Sequence, residues 1–159
     1  MKEIRVSIPE QTLRLLEDGR ELRSWTVSTA AKGAGEQSGS EQTPRGRHVV
    51  RARIGDGQPL RAVFRGRRPT GEVWSPALGE RFPGRDWILT RILWLSGCEP
   101  GFNRLGQVDS MRRYIYIHGT PDDQPMGKPR SHGCVRMRNE DMLALFDLTP
   151  VGTPVLISD

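Results

Sequence analysis

Short runs in which apolar and polar residues alternate, cut by glycine and proline turns, recur along almost the whole chain and confine it to a mostly β architecture. The first thirty residues hold three of them, Ile4/Val6/Ile8, Leu13/Leu15 and Leu22/Trp25/Val27, with Asp18-Gly19 between the second and third as a hairpin turn. Further strand-like runs at His48 to Ile54, Leu60 to Phe64, Trp87 to Leu95, Arg113 to His118 and Thr153 to Ser158 bring the total to about eight, the territory of a sandwich or open barrel. One segment reads as a helix. Asn139 is its expected N-cap, Glu140 and Asp141 occupy the first turn where the helix dipole favours them, and Met142, Leu145 and Phe146 share one face. This helix starts five residues after Cys134, so its packing is expected to hold that turn in place.

At 159 residues, with no linker long enough to separate two cores, the chain reads as one domain spanning 1–159. Lys and Arg number 24 against 19 Asp and Glu, a net charge of +5, and nearly all the cations are arginine. That balance suits anionic or carboxylate-bearing partners. It does not read as a nucleic-acid surface: only Arg65-Gly66-Arg67-Arg68 is a cluster, and neither an aromatic RNA-binding signature nor a helix-turn-helix pattern accompanies it. The N-terminus alternates like a strand and has no apolar core of signal-peptide length, so a cytoplasmic location is expected; an export signal removed beforehand would instead imply a periplasmic or wall-associated protein. No membrane association is expected, because the most apolar stretch, Trp87 to Leu95, is interrupted by Arg91. The glycine-rich segment 33–40 either borders a site or simply connects strands.

Chemistry concentrates in Ser131-His132-Gly133-Cys134, with His118-Gly119 upstream. A thiol needs a neighbouring base or positive charge to act as a nucleophile near neutral pH, and acyl transfer needs backbone N–H groups free to hold an oxyanion. This segment supplies both. Alternation in Tyr114-Ile115-Tyr116-Ile117-His118 puts Tyr114, Tyr116 and His118 on one face, and a His at a strand end can meet a cysteine brought in on a following turn. His132, two residues from Cys134, is the rival base. Gly133 permits a backbone conformation that other residues resist, and the amides of Gly133, Cys134 and His132 are oxyanion-hole candidates. Cys98 reads as a buried or loop thiol, a Cys98–Cys134 disulfide is not expected, and no paired CxxC or HxxxH spacing points to a metal. Trp74, Trp87 and Trp94 are read as core aromatics.

His118-Gly119-Thr120 and Ser131-His132-Gly133-Cys134-Val135-Arg136 resemble the signature of the L,D-transpeptidases with a YkuD-type catalytic domain. The opening strands, the Ser28-Thr29 strand end, the Thr43-Pro44-Arg45-Gly46 turn and the closing Gly152-Thr153-Pro154-Val155 extend the likeness, residues 55–110 being least typical; Arg136 stands where many members carry Asn. The resemblance implies a β-sandwich of mixed sheets with a short helix after the nucleophile turn. It implies acyl transfer on peptidoglycan stem peptides, without a cofactor: Cys134 attacks the carbonyl of the third residue's L-centre, expels D-Ala and retains the acyl group as a thioester. His118 is then the base, the Gly119 carbonyl fixes its tautomer, and His132 shapes the substrate site. Tyr116, Ser131 and Arg136 are the candidate substrate contacts, Arg136 toward a substrate carboxylate or, instead, in an internal ion pair with Glu140 or Asp141. Muropeptides or wall stem peptides are the implied partners, and carbapenem-type inhibitors are expected to label Cys134. Release of the thioester by water, giving an L,D-carboxypeptidase of muropeptide recycling, is the favoured expectation. The alternatives are an L,D-transpeptidase making 3-3 cross-links or exchanging D-amino acids, a non-catalytic stem-peptide binding module, and a thiol redox enzyme cycling Cys98 with Cys134.

Overall fold

A computed structural model describes all residues, Met1–Asp159. Strand β1 (Lys2–Ser7) pairs antiparallel with β2 (Thr12–Glu17), which pairs antiparallel with β3 (Arg20–Ser28). Between β2 and β3, Asp18 and Gly19 take φ of 52° and 81°, the left-handed pair that a two-residue hairpin turn requires. The remaining strands are β4 (Gly46–Ile54), β5 (Ala62–Arg65), β6 (Arg68–Val73), β7 (Ile88–Gly97), β8 (Tyr116–Gly119), β9 (Val135–Met137) and β10 (Pro154–Ser158). They form one sheet in the order β4-β10-β1-β2-β3-β9-β8-β7-β5-β6, and β4 also pairs with β7. That extra pairing closes eight strands into a sandwich-like barrel, which removes the open edges on which other chains add. The β5–β6 hairpin projects from it. Two pairings, β1 with β10 and β8 with β9, are parallel and the others antiparallel, so the expected mixed, mostly β class is what the chain forms.

Period-two burial supplies the core. Ile4, Val6, Leu13, Leu15, Val27, Leu93 and Leu95 point inward together with Ile117, Val135 and Met137, all essentially inaccessible. Helix α2 (Asn139–Leu148) adds Met142, Leu145 and Phe146 to the same cluster. A second cluster, Ala62, Phe64, Ile92 and Tyr116, lies on the other side of β7 and β8, and Cys134 packs against it. A third, Val63, Trp74, Trp87 and Leu89, seats the β5–β6 hairpin and α1 (Pro76–Arg81), a six-residue helix in the stretch least legible from the sequence. Trp74 and Trp87 are core residues as expected, while Trp94 is half-buried.

Asn139 is not the N-cap. Arg138 holds that position with no side-chain cap, and the buried Asn139 is the first helical residue. Its amide N–H groups donate to the Thr120 carbonyl at 2.9 Å and to Asp122 Oδ1 at 3.0 Å, and its Oδ1 accepts from Thr90 Oγ1 at 2.7 Å. Cross-linking the start of α2 to the ends of β7 and β8 satisfies more buried polar atoms than a cap would.

Candidate active site

Strand register brings the two halves of the motif together. In the parallel pair β8–β9, Ile117 lies opposite Val135, His118 opposite Arg136 and Gly119 opposite Met137. Side chains two apart share a face, so Tyr116, His118, Cys134 and Arg136 turn toward one side of the sheet, and all four line a cavity of about 420 Å³. On the other flank of β8, strand β7 bulges between Leu89 and Ile92, with Thr90 at φ 74°. A left-handed β-branched residue is strained and persists only where its surroundings enforce it; here Thr90 Oγ1 is held by Asn139 and accepts from the Arg61 N–H at 3.1 Å. Gly119 sits in this bulge. A Cβ there would meet Asn139 Oδ1 and come within 2.7 Å of the Leu89 carbonyl, so close approach, not φ, demands glycine.

The Gly119 carbonyl accepts from His118 Nδ1 at 2.6 Å. A carbonyl accepts only, so Nδ1 carries the proton and Nε2 presents a lone pair, the tautomer a general base needs. The Cys134 Sγ accepts from the Tyr116 N–H at 3.3 Å and donates to the Tyr114 carbonyl at 3.4 Å. Tyr114 reaches that geometry at φ 56°, another strained backbone beside the thiol. Burial dominates the electrostatics of both groups. It holds the His118 imidazole below its usual range, against the opposing Gly119 bond, and pushes the Cys134 thiol up, against the Tyr116 N–H. Burial thus disfavours the charged form of both members of the pair.

In the turn itself, Gly133 has φ 131°, outside the reach of most L-residues. The buried Ser131 hydroxyl donates to the Cys134 carbonyl at 2.6 Å and accepts from the Gly133 N–H at 3.2 Å. Ser131 thus clamps the turn while its hydroxyl, with one lone pair left, also lines the cavity; the Gly133 amide, an expected oxyanion donor, is already bonded. The N–H groups of His132 and Cys134 donate to nothing in the chain, leaving these two as the available oxyanion donors.

Arg136 is buried against the cavity and pairs with Asp86 Oδ1 at 3.3 Å while donating to the Arg130 carbonyl at 3.3 Å. It does not pair with Glu140, which Arg61 takes at 3.1 Å, or with Asp141. His132 is exposed at the mouth, with Nδ1 3.9 Å from Asp86 Oδ2. Tyr116 lines the wall, its hydroxyl accepting from Arg67 at 3.1 Å, and the Arg67 guanidinium lies over the Trp94 and Tyr114 rings at 4.9 and 4.8 Å. The sequence reading missed Asp86, Arg67, Arg113 and Thr43. Thr43 Oγ1 donates to the Gly133 carbonyl at 2.9 Å and accepts from the Ala30 N–H at 2.9 Å. Arg113 donates to the Gln42 carbonyl at 2.6 Å and to the Glu36 carbonyl at 3.3 Å. Together they fasten the glycine-rich loop behind the nucleophile turn; no residue of 33–40 lines the cavity, and the loop reaches it only through Arg113. The arginine run 65–68 and the Thr43-Pro44 turn were the only signals available. Cys98 is exposed, both cysteines are free, and Cys98 does not line the cavity of Cys134.

The family model of the L,D-transpeptidase catalytic domain (YkuD) matches residues 1–157. The probable L,D-transpeptidase YbiS of Escherichia coli (strain K12) is 51% identical over 47 residues, 30% of this chain and 15% of that protein. Among solved structures, an L,D-transpeptidase from Xylanimonas cellulosilytica superposes with a TM-score of 0.58 at 23% identity, over 99% of this chain and 60% of that one. L,D-transpeptidase 3 from Mycobacterium tuberculosis, in complex with a faropenem-derived adduct, gives 0.60 at 17% identity over 99% and 60%. The match therefore spans a small part of the curated relative and under two thirds of each solved structure, whose likeness is one of fold. With nearly the whole sequence matched, the chain belongs to the L,D-transpeptidase catalytic domain (YkuD) family.

Proposed function

We propose that the chain is a cysteine acyl enzyme that cleaves the bond between the L-centre of the third stem residue and D-Ala in peptidoglycan tetrapeptides, and that water releases the product. The carrying observation is that Cys134 and a His118 locked in its basic tautomer share one cavity. His118 Nε2 takes the thiol proton as Sγ attacks the scissile carbonyl. The oxyanion is held by the amides of Cys134 and His132. Collapse of the adduct expels D-Ala, whose nitrogen takes the proton back from His118, and a thioester remains on Cys134. His118 then deprotonates a water that attacks the thioester, yielding the tripeptide acid and the free thiol. None of the other sizeable cavities is lined by Cys134, so the acceptor that releases the thioester, water in this reading, enters by the path the D-Ala leaves.

A second reading, release by an amine with formation of a 3-3 cross-link, draws support from the transpeptidase names of the relatives. Mass spectrometry of a soluble disaccharide tetrapeptide incubated with the protein, with and without excess free D-amino acid, separates the two. Loss of one D-Ala without incorporation is the expected outcome. Exchange or dimers would replace hydrolysis with transpeptidation, and no product beyond that of Cys134→Ala would remove the enzymatic reading.

A further inference from the structure

A second cavity, of about 340 Å³, adjoins the first across the segment 111–114: Met111 and Arg112 line one, Arg113 and Tyr114 the other. Three arginines line it, Arg51 from β4, Arg104 from the loop after β7, and Arg112. Elsewhere Arg5, Arg14, Arg45, Arg61, Arg85 and Arg136 each meet a carboxylate within 3.3 Å. Arg51, Arg104 and Arg112 meet none, as is true of other exposed arginines such as Arg20, Arg23 and Arg68; what sets these three apart is that they line one cavity. The one carboxylate on the wall, Asp109, is engaged by the backbone instead, accepting from the Leu105 N–H at 2.7 Å and the Arg112 N–H at 3.0 Å.

The walls are built before any ligand arrives. Buried Asn103 donates to the carbonyls of Arg45 and Arg47 at 3.0 Å each and accepts from the Glu99 N–H at 2.9 Å, tying the 99–110 loop to β4. Arg51 rests over the Trp94 ring at 5.6 Å, which limits its rotamers. All three arginines are exposed and stay hydrated until an anion in the concavity replaces that water. A carboxylate satisfies one guanidinium fork, whereas three around one space match a group with three or more strong acceptor oxygens.

We infer that this cavity is a phosphate-binding site, taking a phosphate or diphosphate group between Arg51, Arg104 and Arg112. It does not depend on the catalytic reading, since none of these residues lines the Cys134 cavity. The test is calorimetric titration of the whole chain with inorganic pyrophosphate at about 0.15 M salt, where long-range attraction is largely screened. One saturable site is expected. Arg104→Gln/Arg112→Gln should weaken it at least about tenfold, while Arg20→Gln/Arg23→Gln, which removes the same charge from an exposed strand, leaves it intact. Exposed Cys98 lines the same cavity and offers a second readout. In a Cys134→Ala background, pyrophosphate should slow Cys98 alkylation, and should fail to do so once Arg104 and Arg112 are replaced. Tighter binding of a nucleoside diphosphate sugar than of pyrophosphate would identify an esterified diphosphate as the source, and equal binding the free anion. Heats that do not saturate, or equal weakening in both double variants, would overturn the site.

Discussion

Burial works against charge on both Cys134 and His118, and in the proposed mechanism the proton therefore moves as the carbon–sulfur bond forms. This sets the pH dependence of acylation. Activity needs neutral His118, whose value lies below the ordinary imidazole range, so kcat/KM rises with pH through that lowered value and reaches its plateau before pH reaches about 6.5. A stopped-flow profile of acylation between about pH 4 and 9 checks this; an acid limb centred at or above about 6.5 would contradict it. Gly119→Ala should cost about 1–3 kcal/mol in urea denaturation, by overpacking against Leu89 and Asn139. It should also lower kcat, because the Gly119 carbonyl carries the tautomer lock. Cys134 and His118 were legible from the sequence because their chemistry is written in contiguous motifs. Asp86 was not: it reaches Arg136 from 50 residues away along the chain, and no local pattern announces such a pairing.

Among the elements, the parallel β8–β9 pair sets the site, and it is also the part that patterning reads worst. Strand β9 is three residues long, all buried, too short for a period to show. Strand β6, Arg68–Val73, is exposed at nearly every position and contains Pro69 and Gly71, so it lacks the alternation that revealed the others. Longer strands, β1 to β4 with their alternation and β7 with its apolar run buried on both faces, were read nearly in place. The loop behind the nucleophile depends on single polar atoms. Thr43→Val keeps the shape and removes the hydroxyl that joins the Ala30 N–H to the Gly133 carbonyl. The expected outcome is a loss of about 1–3 kcal/mol, read as a lower urea midpoint, together with a lower kcat. Unchanged acylation in that variant would show that the loop does not hold the turn.

For the whole molecule, closing the barrel buries His48 as well as His118. His48 bonds the Gly46 carbonyl at 3.0 Å and Ser110 Oγ at 2.8 Å, and burial lowers its pKa to about 4. Between that value and the unfolded value near 6.5, the unfolded chain binds a proton that the native chain does not. Stability is therefore full above about pH 6.5 and falls as pH drops toward 4, by on the order of 3 kcal/mol for His48 alone. His118 acts in the same direction. Urea midpoints at pH 7 and 4.5 check the sign, and a midpoint that rises on acidification would contradict it. The central claim, that Cys134 is the acylated nucleophile and His118 its base, is tested most directly by intact mass and peptide mapping after exposure to faropenem. A single adduct on the peptide carrying Cys134 is predicted, absent in Cys134→Ala and formed much more slowly in His118→Gln. An adduct that persists in Cys134→Ala, or maps to Cys98, would contradict it.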